Sequence, residues 1–494
     1  MMRRMKFGEQ CLPVRGCFET CSLRGSGFQT DRTAALCCRL RLTRRAALAR
    51  SLRVVASRFS RCIVIVGFLC AAGEPCAGYS LLTHEEIVDI LWKDQIQPLL
   101  LKRYPAASAN QLRKAHAYAY GGSLIQDIGY YPFGNKFFSD LTHYVCTGDF
   151  VANLIRESAD IDQYAFALGA LAHYSSDNTG HPAINHAVAL TFPKLRRKYG
   201  ERVTYEQNPK AHIQTEFGFD ITQVAKHRYT SDSYHDFIGF EVSKPALERA
   251  FLKTYGLRLE DVLGHMDLSI GTFRHAVSGV IPEMTRAALT AYHPEIVRDA
   301  TNFSEGRFLY NLSRTQYETE WGKEYRRPGF FTRVLGLFVR WAPKIGFLDA
   351  LAFKLPSPQT EDMYIKSINR TLEDYQKLLQ RVGEGDLRFP NLDCDTGQPA
   401  ARGEYALSDR TYARLLEALI KNNQKNVSPE LRADILAFYS DPSPPGRRRR
   451  PVGERTAREL GALRAGPQSA VALLARKSLL APPFKLQSPK AKAA

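Results

Sequence analysis

The chain has 494 residues and a formal net charge of +18, length enough for two to four domains at roughly 100 to 200 residues each. The charge sits at the ends: residues 1–62 carry 14 Lys+Arg against 3 Asp+Glu and residues 446–494 carry 12 against 2, leaving −3 on the body between them. A near-neutral body does not read as a nucleic-acid binder on charge alone.

Eight of the ten cysteines precede residue 77, and only Cys146 and Cys394 lie in the body. The early spacings match no metal knuckle. An apolar run, Cys62 to Ala72, follows Arg58 and Arg61 and leads to Cys76-Ala77-Gly78. That is the layout of a signal peptide, and at about eleven residues the run is too short for a hydrocarbon core that needs roughly 20. Residues 1–78 are therefore expected to be a leader removed near Gly78, giving an exported, periplasmic or extracellular product.

From Tyr79 to about Tyr439 helical periodicity recurs, with few alternating Val, Ile and Thr runs, so the predicted fold class is all-α. Amphipathic helices are expected over Ile87–Leu101, Tyr164–Ala172, Ala246–Tyr255 and Tyr364–Leu379. Phe330–Phe353 mixes bulky apolar residues with Arg333, Arg340 and Lys344; it reads as a core helix pair broken at Pro343, with a lipid-surface helix as the alternative. The stretch DPSPPG from Asp441 ends the body, and the basic Pro/Ala-rich remainder, 441–494, is expected to be disordered.

All twelve histidines fall between His84 and His293. His173 and Asp177, four apart, share a helix face and are able to share a cation. His181 lies eight residues beyond His173, a helical rise of about 12 Å, so it is expected to serve a different ion; Gly180 and Pro182 are expected to end the helix there. His212 and Glu216 repeat the four-residue spacing. Together with His181 they make a two-imidazole, one-carboxylate set of the kind that holds catalytic zinc with a position left open. Clusters of His with Asp or Glu, none relying on Cys, favour zinc.

The ordered segments YSLLTH from Tyr79, SLIQDIGYYP, LTHYV, LAHYSSDNTGHP and HIQTE resemble the zinc-dependent phospholipase C family, which shares a trinuclear zinc site with the fungal single-strand nucleases. The resemblance implies a multi-helix bundle around three zinc ions over 79–240; the helical sequence of 241–440, which the resemblance does not cover, is expected to be an extension packed on the core. It implies that Asp127, His143, His173 and Asp177 hold one ion, with Asp177 bridging to a second held by His84 and by the freed amino group and carbonyl of Tyr79. His181, His212 and Glu216 hold the third, His181 being preferred over His186. Asp127 is the candidate catalytic residue, orienting or deprotonating the attacking water.

The function so implied is a secreted zinc-dependent phosphodiesterase that hydrolyses phospholipid headgroup esters, with transient membrane-surface contact and no stable nucleic-acid partner. The alternatives are a single-strand nuclease, for which Tyr144 would be a stacking residue, and a metal-braced binding module without turnover. Tyr130, Tyr131, Phe133, Phe137 and Phe138 are read as either an apolar entrance or ordinary core.

Overall fold

The computed structural model describes residues 80–226, 228–229, 240–277, 352–440 and 453–466, together with Ile281, Thr285 and Ala288; all lie within the unit Gly67–Ala494. The expected leader, Tyr79 and most of Phe330–Phe353 fall outside the described residues. In chain order the helices are α1 (Leu81–Leu91), α2 (Gln97–Arg103), α3 (Ala109–Ser123), α4 (Lys136–Tyr144), α5 (Thr147–Arg156), α6 (Ile161–Thr191), α7 (Pro193–Tyr199) and α8 (Pro209–Ala225). They continue as α9 (Lys244–Tyr255), α10 (Leu259–Leu263), α11 (Met266–His275), α12 (Pro358–Glu384), α13 (Ala406–Lys421), α14 (Pro429–Ser440) and α15 (Glu454–Ala465). A π-helical turn, Trp92–Ile96, joins α1 to α2, and a 3-10 turn, Ile125–Tyr130, follows α3. The two-residue strands β1 (Leu392–Asp393) and β2 (Gln398–Pro399) pair antiparallel.

The architecture is all-α and is built around α6. Every residue of α6 from Tyr164 to Asp177 is buried, which marks a helix enclosed on all sides rather than an amphipathic surface helix. Helix α3 crosses it at backbone contact distance. A Cβ on Gly122 would lie 1.9 Å from the Phe166 carbonyl oxygen, and one on Gly169 would lie 2.0 Å from that of Ala119. Only glycine permits that approach, and it brings the C-terminal end of α3 beside His173. On another side α12 buries Tyr364, Ile368, Leu372, Tyr375 and Leu379, and the Tyr375 hydroxyl donates to the Leu168 carbonyl at 2.8 Å. Ser357 caps α12 through the Thr360 amide, and Gly385, at φ +83°, closes it.

Two expectations fail here. Helix α6 does not stop at Gly180 and Pro182 but runs on to Thr191 with Pro182 inside it. An internal proline costs about 3 kcal/mol, whereas burying side chains such as Ile184 and Val188, both fully enclosed, contributes roughly 1.5 to 3 kcal/mol each, so packing of the last turns outweighs the lost hydrogen bond. The tail expected to be disordered contains α15, which packs on α13. Leu460 and Leu463 of α15 are buried, and Gln424 donates to the Ala462 carbonyl at 3.0 Å. The four predicted amphipathic runs are helical, the first interrupted by the π turn.

Candidate metal centre

Five candidate ligands converge from four elements: His84 on α1, Asp127 on the 3-10 turn, His143 on α4, and His173 and Asp177 on α6. All five are buried. His143 Nδ1 lies 2.7 Å from the Ser139 carbonyl and His173 Nδ1 lies 2.8 Å from the Ser123 carbonyl. A carbonyl oxygen only accepts, so both Nδ1 atoms carry the hydrogen, and each Nε2 of a neutral ring presents a lone pair to the interior.

Those two Nε2 atoms are 3.2 Å apart, and each is 3.2 Å from Asp177 Oδ2. Three electron-pair donors at the corners of one small triangle repel each other unless a cation sits among them. Ligands about 2.0 Å from a tetrahedral zinc lie roughly 3.3 Å apart, so the spacing fits. Asp127 Oδ1 lies 3.4 Å from His143 Nε2 and Asp177 Oδ1 lies 3.5 Å from His84 Nε2. Asp127 Oδ1 and both Asp177 oxygens are buried and make no hydrogen bond. Two groups of three, His84 with His173 and Asp177, and Asp127 with His143 and His173, have donor atoms within 4.8 Å of one another. The residues present fit a divalent metal.

Electrostatics give the same picture. Burial works against charge on His143, but the facing carboxylates of Asp127 and Asp177 outweigh it and hold its pKa well above 6.5. Burial raises the Asp127 carboxyl. At Asp177 burial pushes up, yet His173, His143 and His181 dominate and hold it well below the carboxylate range. His84 is driven well down by burial and then by His173. The cluster draws positive charge inward.

The remaining ligand set is arranged differently. His181 shares the face of α6 with Asp177, its Nε2 3.8 Å from Asp177 Oδ2. His212 and Glu216, one turn apart on α8, face each other, with His212 Nδ1 2.6 Å from Glu216 Oε1 and His212 Nε2 2.8 Å from Asn185 Oδ1. Burial, then His181, takes His212 down to about 3, and burial raises Glu216 well above 4.5. The pair therefore reads as a neutral imidazole that donates to Asn185 and accepts from a protonated Glu216. His181 and His212 rings lie 5.4 Å apart, whereas the other five residues make up the two groups of three described above.

Residues 83–264 match the family described as zinc dependent phospholipase C. No curated protein and no solved structure matches the chain. The family indicates a zinc hydrolase acting on phosphoesters, and the His/Asp groups above are consistent with zinc.

The matched segment contains every sequence-predicted ligand except Tyr79. His186, the alternative to His181, is partly exposed and lies 3.8 Å from Glu201, away from the cluster. His116 is a core residue, stacked on Trp92 and 2.9 Å from Asp89 Oδ1. Of the aromatic candidates, Phe137 and Phe138 are core, Phe133 is 42% exposed, and Tyr130 is buried. Tyr130 packs with Tyr205, their rings 6.2 Å from His143 and 6.0 Å from His212 respectively, so this pair spans the two ligand sets. Cys146 and Cys394 are both buried and free.

Sequence reasoning missed Asp395. It lies on the turn between β1 and β2, fully buried, with Oδ1 2.8 Å from His181 Nδ1. Its backbone carbonyl accepts from Asn185 Nδ2 at 2.9 Å. The local signal was NLDCDTG, two acids in a short non-helical stretch closed by glycine, but nothing local says which helix that turn meets.

Proposed function

We propose that the chain is an exported zinc-dependent phosphodiesterase of the phospholipase C type, acting on phospholipid headgroup esters. The observation that carries the reading is the triangle of His143 Nε2, His173 Nε2 and Asp177 Oδ2, 3.2 Å on each side, inside a segment of that family. Asp127, His143, His173, Asp177 and His84 would hold two ions, with Tyr79 completing the second, and His181, His212 and Glu216 would hold the third. Bound zinc supplies Lewis-acid polarisation of a phosphoryl oxygen and a water acidified toward neutrality.

The chain's own residues supply position. The Ser139 and Ser123 carbonyls fix which nitrogen of His143 and His173 faces inward. Asp127, with an oxygen free of hydrogen bonds beside His143, is placed to orient water. Tyr130 and Tyr205 shield one side from bulk solvent. Export is supported by the apolar run ahead of Gly78; among the described residues no helix is long and apolar enough to cross a membrane. The nuclease reading loses its stacking candidate, because Tyr144 is 1% exposed and its hydroxyl donates to Asp395.

The test pairs elemental analysis with hydrolysis of a chromogenic phosphocholine ester and of single-stranded DNA. Three zincs per chain with chelator-sensitive ester cleavage is expected. Cleavage of DNA alone would move the chain to the nuclease branch, and bound zinc with neither activity would favour a metal-braced binding module.

A further inference from the structure

We infer that Asp395 is a positioning residue of the metal centre, holding the His181 imidazole from behind so that its Nε2 faces Asp177. The inference rests on the zinc reading above and extends the site beyond residues 83–264 to a turn that lies outside the family match.

The His181 ring lies between two carboxylates, with Nδ1 2.8 Å from Asp395 Oδ1 and Nε2 3.8 Å from Asp177 Oδ2. The two atoms are close but not aligned for a hydrogen bond, so the carboxylate acts by its charge: at 2.8 Å from Nδ1 it favours the tautomer with the proton there, which leaves the lone pair on Nε2. His143 and His173 obtain the same orientation from main-chain carbonyls. A carboxylate in that place adds a full negative charge behind the ring and makes Nε2 a stronger donor.

Asp395 is itself locked. Its Oδ2 accepts from the Tyr144 hydroxyl at 2.9 Å and from the Tyr405 hydroxyl, so the carboxylate cannot rotate away without losing both. Its carboxylate is thus fixed by the two tyrosines alone; the turn around it is braced separately, with the Asp395 amide donating to Asp393 Oδ1 at 3.1 Å and the Ser408 hydroxyl donating to Asp393. Cys394 N donates to the His143 carbonyl at 2.9 Å, and the Asp395 carbonyl accepts from Asn185, whose Oδ1 meets His212. One turn thus reaches the surroundings of three candidate ligands. Gly397, at φ +67°, lets it lie on α6, since a Cβ there would be 2.4 Å from the Asn178 carbonyl oxygen.

The experiment uses the full chain as wild type, Asp395→Asn, Asp395→Ala and, as a control for bracing of the turn alone, Ser408→Ala. Zinc retained per chain is measured against graded chelator, and the visible spectrum of the cobalt(II)-substituted protein is recorded beside far-ultraviolet circular dichroism. The expected result is a loss of affinity for one ion of about 10- to 100-fold in both Asp395 variants, with a changed cobalt spectrum and unchanged helicity, while Ser408→Ala behaves as wild type. Folded Asp395 variants with wild-type affinity and spectrum would overturn the inference, and so would a Ser408→Ala spectrum changed in the same way. If both Asp395 variants fail to fold, Tyr405→Phe, which releases Oδ2, decides: a weakened ion supports the inference and an unchanged one overturns it. Wild type that binds no metal overturns the zinc reading itself.

Discussion

The two ligand sets meet at Asp177 yet solve opposite problems. In the set of His84, Asp127, His143, His173 and Asp177, donor atoms point at one another across 3.2 to 3.5 Å, and main-chain carbonyls hold the His143 and His173 rings so that these cannot turn away. In the other set His212 and Glu216 satisfy each other and Asn185. The first is preorganised and draws positive charge to its centre; the second closes on itself. Helix geometry alone does not produce the difference, since His173/Asp177 and His212/Glu216 share the four-residue spacing. What differs is the partner on the opposite element: a third donor in one case, a neutral amide in the other.

Stripping the metal should give the largest effect. If zinc is held at about 1,000 times its dissociation constant, it contributes about 4 kcal/mol, so an excess of chelator is expected to lower Tm by about 10 °C, read by calorimetry. An unchanged Tm would mean that the crowded set is stable as a hydrogen-bonded cluster. Next comes Asp177→Asn, which removes the charge that His84, His143, His173 and His181 all face. Breaking a buried charge cluster costs about 3 kcal/mol, and ester hydrolysis is expected to fall by about 10²-fold or more. Retention of full zinc content by this variant would remove Asp177 from the centre of the site.

Glu216→Gln sharpens the comparison from the other side. A glutamine amide still donates to His212 Nδ1, so the closed pair survives and stability is expected to change by less than about 1 kcal/mol. One ion is expected to bind about tenfold more weakly or more, with the others retained, as counted by elemental analysis. Loss of all three together would show that the two sets are not separable.

The helical spacings that brought His173 near Asp177 and His212 near Glu216 were legible in the sequence because they are local: four residues make one turn whatever surrounds them. The convergence of the SLIQDIGYYP and LTHYV segments on the same point was legible only through family resemblance. Periodicity could not show that α6 continues through Pro182, because the compensation comes from Ile184 and Val188 packing against other elements. It could not show that Tyr144 is spent on Asp395, or that a turn some 210 residues after His181 supplies the carboxylate behind its ring. Each of these is a tertiary contact between segments with no pattern in common, and the stretch 241–440, which sequence reasoning treated as an extension packed on the core, contributes the carboxylate beside His181.

The smallest expected effect separates metal linkage from simple burial by its sign. Metal ligands must be deprotonated, so zinc binding makes stability rise with pH. Asp140, on α4 between His143 and the start of the helix, works the other way. Burial pushes its carboxyl up to about 6, with His143 and Arg414 opposing. The folded state therefore keeps a proton that the unfolded chain has lost between about pH 4 and pH 6, and this group's contribution falls as pH rises through that window and is level above it. Asp140→Asn removes the opposing slope. In saturating zinc, denaturant titrations at pH 4 and pH 6 are expected to show stability rising more steeply in the variant than in wild type, by about 1 kcal/mol across the window once screening by exposed neighbours is allowed for. Parallel curves would mean that Asp140 ionises normally and that all of the pH dependence belongs to the metal ligands.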